Sequence, residues 1–171
     1  MAEHEEIEEH IHHAQEPFDK VVAGSMAIIA ALLAVVSVLG QHFNTETLLM
    51  QQESSDQYSF YQAKNIRRYS AQLAQDVLVQ MKAPADAVDK YAKDGARYDN
   101  EMKEIKEKAD DLKKESVIAE AKSRRFHGGE VFLEIGIVLS SLAILTKRRP
   151  FYIAGALFAV SGVIYAATAF V

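Results

Sequence analysis

Apolar and charged positions are segregated along this 171-residue chain rather than interleaved. Residues 21–40 (VVAGSMAIIAALLAVVSVLG) and 151–171 (FYIAGALFAVSGVIYAATAFV) contain no Asp, Glu, Lys or Arg, whereas residues 44–126 hold 30 such residues. Twenty helical residues rise ~30 Å, the thickness of a bilayer's hydrocarbon core, so each uncharged run predicts a transmembrane helix. Residues 131–146 (VFLEIGIVLSSLAILT) form a shorter apolar run containing Glu134. Because Lys147-Arg148-Arg149-Pro150 leads from it straight into the last span, the two read as a transmembrane helical hairpin. The expected layout is an N-terminal tail or short amphipathic helix over 1–20, span one over 21–40, an extramembrane helical hairpin over 41–127 turning at 82–86, span two over 128–146, a basic loop over 147–150, and span three over 151–171.

The middle of the chain carries the strongest periodicity. Val88, Tyr91, Gly95, Tyr98, Met102, Ile105, Ala109, Leu112, Ser116, Ala119, Ser123 and Phe126 follow one another at 3 and 4 residues without a break. A heptad seam of that length predicts a coiled coil. Asp86/Lys90, Asp89/Lys93, Glu104/Lys108 and Asp110/Lys114 stand as acid-before-base pairs four apart, a spacing that supports a helix. Residues 41–81 lack proline and glycine, and Ile66, Tyr69, Leu73 and Val77 form an apolar stripe that is expected to face this seam. An antiparallel fold at 84/85 would set Leu73 near Ala96, Val77 near Ala92, Tyr61 opposite Lys108 and His42 opposite His127. The fold class expected is therefore an all-α membrane protein of three spans, with a long antiparallel hairpin inserted between spans one and two.

Composition narrows function by exclusion. With no cysteine there is no disulfide framework, thiolate metal site or cysteine nucleophile. The 15 acidic residues of 44–126 balance the 15 basic ones, and the net charge of −5 gives no basic face for nucleic acid. No GxGxxG, GxxxxGK[ST], HExxH or GxSxG is present, so nucleotide binding and the common hydrolase chemistries lack a motif and no enzyme activity is expected. The basic loop and Lys20 favour a cytoplasmic N-terminus and an extracytoplasmic hairpin, while Lys122, Arg124 and Arg125 argue the other way.

Three groups of residues could carry chemistry. His127, Glu130 and Glu134 share a helical face at the start of span two, and the hairpin brings His42 toward them. Imidazole and carboxylate together suit a divalent metal, the one cofactor considered. Glu134 inside an apolar segment, with Ser140 or Ser141, suits a proton or ion path, and the bland alternative is that the carboxylates reach interfacial water or Arg124 and Arg125. His10 and His13, with Glu6 and Glu9, stand at helical spacing in a tail that can bind metal or simply be solvated. Tyr58, Tyr61, Lys64, Arg67 and Arg68 mix aromatic and basic groups, which fits either a subunit or lipid-headgroup contact or internal packing and ion pairing. Small residues recur at interface spacing as Ala23, Ala27 and Ala31, and as Gly155, Ala159, Gly162 and Ala166.

Residues 54–69 read SSDQYSFYQAKNIRRY, with Asp56, Gln57, Tyr58, Tyr61, Gln62, Ala63 and Lys64 as their most specific part. Together with the His/Glu-rich N-terminus, the apolar span ending near Gln41-His42 and the late pair of spans, this resembles the bacterial membrane proteins grouped as domain of unknown function 4337. The resemblance implies a multi-pass membrane protein with a helical insert and implies no activity; the expected location is the bacterial inner membrane. The expected function is a homo-oligomeric scaffold of hairpins in contact with membrane lipids. The alternatives are an ion or proton channel or transporter using Glu134, and a metal-binding membrane sensor.

Overall fold

The computed structural model describes residues 17–170, so His10 and His13 lie outside the described residues. The described chain is helical: α1 is Pro17–Gln80, α2 is Ala85–Thr146, α3 is Arg149–Ala167, and a 3-10 turn, Thr168–Phe170, follows. Pro17 opens α1, where its missing N–H costs nothing. Arg148 supplies an extended residue ahead of α3, with Pro150 in its first turn. Each of the three helices contains a stretch long and apolar enough to cross a membrane.

The chain divides into two compact units, residues 17–44 with 120–170 and residues 45–119. In the first, the apolar bundle, α2 and α3 pack backbone to backbone. A Cβ at Gly136 would lie 2.9 Å from the Gly155 carbonyl, and one at Gly162 would lie 2.8 Å from that of Gly129. Gly155, Ala159, Gly162 and Ala166 are all buried, so the small-residue stripe of span three is an internal contact. Ala23, Ala27 and Ala31 are exposed, and α1 instead buries Val22, Ile29, Val36 and Gly40. Phe126 closes one end, stacked on Phe43 at 5.6 Å and edge-on to Phe170 at 5.5 Å. Ser123 donates to the Gly40 carbonyl at 3.2 Å, and Arg125 donates to the Thr168 carbonyl. Lys147 pairs with Asp19 at the other end.

In the second unit the expected seam of α2 is present, since every position from Val88 to Ala119 in that row is buried or half-buried. The expected partner stripe is not. Ile66, Tyr69, Leu73 and Val77 are 67, 57, 65 and 47% exposed. What α1 turns inward is a 3-4 row of mostly polar residues: Thr47, Met50, Ser54, Gln57, Tyr61, Lys64, Arg68, Ala71, Gln75 and Leu78. Three of its polar residues, Ser54, Lys64 and Arg68, meet partners on α2, as does the neighbouring Tyr58. Ser54 donates to the Ala109 carbonyl at 2.9 Å, Tyr58 donates to Asp110, Lys64 pairs with Glu101, and Arg68 lies 3.6 Å from Asp99. The register also differs from the expected one: Lys64 would have stood opposite Ile105 but meets Glu101, one turn along. Asp110 is held by Tyr58, and Lys114 bonds to Asp111 at 2.9 Å rather than to Asp110.

The shift follows from the turn, which occupies 81–84 rather than 82–86. Lys82 sits in the left-handed region at φ 52°. Its N–H bonds to the Val79 carbonyl at 3.1 Å, and the Ala83 N–H reaches back to that of Leu78 at 3.0 Å. This is a Schellman end, which normally places glycine where Lys82 stands. Pro84 then accepts the first bonds of α2, from Ala87 at 3.1 Å and Val88 at 3.4 Å.

Candidate functional site

On α2, within the apolar bundle, the residues singled out in the sequence fall on one side of the helix but do not close into a ligand set. His127 Nδ1 lies 3.0 Å from a Glu130 carboxylate oxygen, and the Ser37 hydroxyl of α1 is a second hydrogen-bond partner of that carboxylate. His42 is exposed and packs edgewise on Phe43 at 5.4 Å. Glu134 is exposed, as is Ser141. The adjacent Ser140 is buried, bonded back to the Gly136 carbonyl at 2.8 Å. Among the described residues no three His, Asp or Glu side chains are grouped as a metal would require. The expected quartet His42, His127, Glu130 and Glu134 is thus a His127–Glu130–Ser37 cluster with the other two members apart from it. Ser37 had no signal in the sequence beyond being a polar residue in an apolar span.

Glu134 lies well inside the apolar stretch of α2. Leu133 and Phe132 pack at Gly162, and Gly136 packs at Ala159, so Glu134 stands level with residues 160–162. That is the middle of the uncharged run 151–171.

The aromatic and basic motif of α1 lies in the hairpin unit, and its members divide by face. Tyr58, Tyr61, Lys64 and Arg68 point toward α2, half-buried, whereas Arg67 is exposed. Lys64 lies over the Tyr98 ring at 5.4 Å as well as against Glu101, and Arg68 lies over Tyr69 at 4.6 Å and bonds Asn65 at 3.2 Å. Arg97 completes the cluster, 3.7 Å from Glu101 and 5.0 Å from the Tyr98 ring centre. Lys64 and Arg68 of the motif thus pair across the two arms, and Arg67 faces outward.

A family model, Domain of unknown function (DUF4337), matches residues 18–171, which takes in both units and the whole 54–69 motif. The chain belongs to the DUF4337 family. It matches no curated protein and no solved structure. In this DUF4337 member the 54–69 motif therefore has a visible structural role, the cross-arm ion pairing just described.

That pairing sets the acid response of the hairpin. The hydrogen bond and charge of Lys64, aided by Arg97, hold the Glu101 carboxyl below its ordinary value, against the smaller effect of burial. A depressed carboxyl contributes stability that is present above its unfolded pKa and lost as pH falls through the folded one. Hydrogen-exchange protection across residues 95–105 is therefore expected to hold from pH 7 to pH 5 and to drop as the pH falls below 4. Lys64→Met should flatten that dependence, and an unchanged acid profile in the variant would count against the assignment. The same logic in reverse raises the Tyr58 hydroxyl, whose hydrogen bond to Asp110 opposes ionisation.

Proposed function

We propose that this protein is a membrane-anchored homo-oligomeric scaffold, its hairpins assembling side by side. In this reading the three apolar helices span the membrane, with the N-terminus cytoplasmic and the hairpin extracytoplasmic. The observation that carries it is the row Ile66, Tyr69, Leu73 and Val77, which is turned away from the other arm of its own hairpin and is about half exposed or more at every position. Its 3-4-4 spacing makes a continuous apolar strip ~16 Å long on a helix whose inward face is polar. Exposed apolar rows on an otherwise charged surface mark protein contacts.

The test is the mass of the detergent-solubilised protein. Wild type is expected to run as a discrete multimer, and Ile66→Glu with Leu73→Glu is expected to lower the mass toward one chain while circular dichroism stays helical. A wild-type protein that is a single chain across the accessible concentration range overturns the proposal.

A further inference from the structure

Within the apolar bundle, α2 carries two rows of residues on opposite faces. One row, Phe126, Gly129, Leu133, Gly136, Ser140 and Ala143, is buried against α1 and α3. The other, His127, Val131, Glu134, Val138, Ser141 and Leu145, is exposed at every position. Its members alternate in kind as well as in spacing. His127, Glu134 and Ser141 are seven apart and polar, and Val131, Val138 and Leu145 are seven apart and aliphatic. On α3 the exposed row Ile153, Leu157, Val160 and Ile164 has the same spacing but is wholly apolar, as a face in contact with lipid should be. The α2 row is not such a face. Glu134 lies about 14 Å along the helix from Arg125 and about 20 Å from Lys147, out of reach of either end of the bundle. A carboxyl group at that depth is expensive against hydrocarbon and belongs against protein or water.

We infer that this row is the membrane-embedded contact between two copies of the chain, α2 packed in parallel on α2 of a second copy. The inference rests on the homo-oligomeric reading above and assigns it a site within the membrane. A period of seven residues with two contact positions per period is the pattern of a helix meeting a second helix at a shallow left-handed crossing. A two-fold contact sets each residue against its own copy. Polar then meets polar at three layers, and aliphatic meets aliphatic at the layers between. At the Glu134 layer carboxyl meets carboxyl, and at the Ser141 layer hydroxyl meets hydroxyl. The wholly apolar exposed row of α3 has no polar group at those intervals, so it cannot match this surface.

The absence of cysteine makes the test direct, because each introduced thiol is the only one in the chain. Seam residues of two such helices come close enough for a disulfide between like positions. In native membranes under mild oxidation, Val131→Cys, Val138→Cys, Ser141→Cys and Leu145→Cys are expected to give a covalent dimer at least tenfold more abundant than Ile135→Cys, Ile153→Cys or Leu157→Cys. A flat profile, or one that peaks at the α3 positions, overturns the inference. So does reaction of Ser141→Cys with a membrane-impermeant thiol reagent without cross-linking, because the row then lines water. Particle mass measured on the same variants separates the two readings. A multimer with no cross-link at the α2 row defeats the inference and leaves the hairpin assembly standing, whereas a single chain defeats both.

Discussion

Gly155→Leu combined with Gly162→Leu should separate α3 from α2. A Cβ at Gly155 would stand 2.7 Å from the Ser140 hydroxyl and 2.8 Å from the Gly136 carbonyl, and one at Gly162 would stand 2.8 Å from the Gly129 carbonyl. Two of these three neighbours are backbone, which cannot swing aside as a side chain can. Overpacking typically costs about 1–3 kcal/mol per site, and contact with main chain puts each substitution at or above the top of that range. The pair is expected to remove about 4 kcal/mol or more, read as the midpoint of unfolding in a denaturing-detergent titration. Leu157→Ala, at an exposed position of the same helix, should stay within about 0.5 kcal/mol of wild type. Equal midpoints for the glycine pair and for Leu157→Ala would show that α2 and α3 do not meet through these residues.

Ala109→Leu is the corresponding lesion in the hairpin. Ala109 is fully buried, and its carbonyl accepts the Ser54 hydroxyl, so α1 lies directly against it. Three added carbons there must push the arms apart, at a cost of about 1–3 kcal/mol for the packing and roughly 1 kcal/mol more for the Ser54 bond. The readout is amide hydrogen exchange, which reports each unit separately. Protection should fall across residues 50–60 and 104–114 and stay unchanged across 129–143. Lys106→Ala, on the exposed side, should leave both segments protected. Loss confined to the apolar bundle would contradict the assignment.

The sequence revealed some of this through pattern and hid the rest through chemistry. The α2 seam from Val88 to Ala119 was legible because its residues are apolar or small, and spacing alone then identifies the inner face. Its partner row on α1 was not, since Ser54, Lys64 and Arg68 look like a solvated face until their partners on α2 are known. The apolar stripe Ile66, Tyr69, Leu73 and Val77 attracted the assignment that belonged to them. The turn was misplaced for a similar reason. A glycine at position 82 would have marked the helix end, but a lysine in the left-handed region carries no such mark. In the apolar bundle the His127–Glu130 pair was readable from its three-residue spacing, whereas Ser37, on another helix, was not. The depth of Glu134 required knowing which residues of α3 it lies beside.

The polar seam between the hairpin arms has a thermal consequence. Heat capacity on unfolding rises with the apolar surface exposed and falls with the polar surface exposed. Parting arms joined by hydroxyls and ion pairs as well as by the apolar row of α2 therefore uncovers polar surface that offsets part of the apolar contribution. The stability curve of the hairpin should accordingly be flatter than that of a seam apolar on both sides. Salt is the stronger lever on it, since the half-exposed pairs Lys64–Glu101 and Arg68–Asp99 are open to screening.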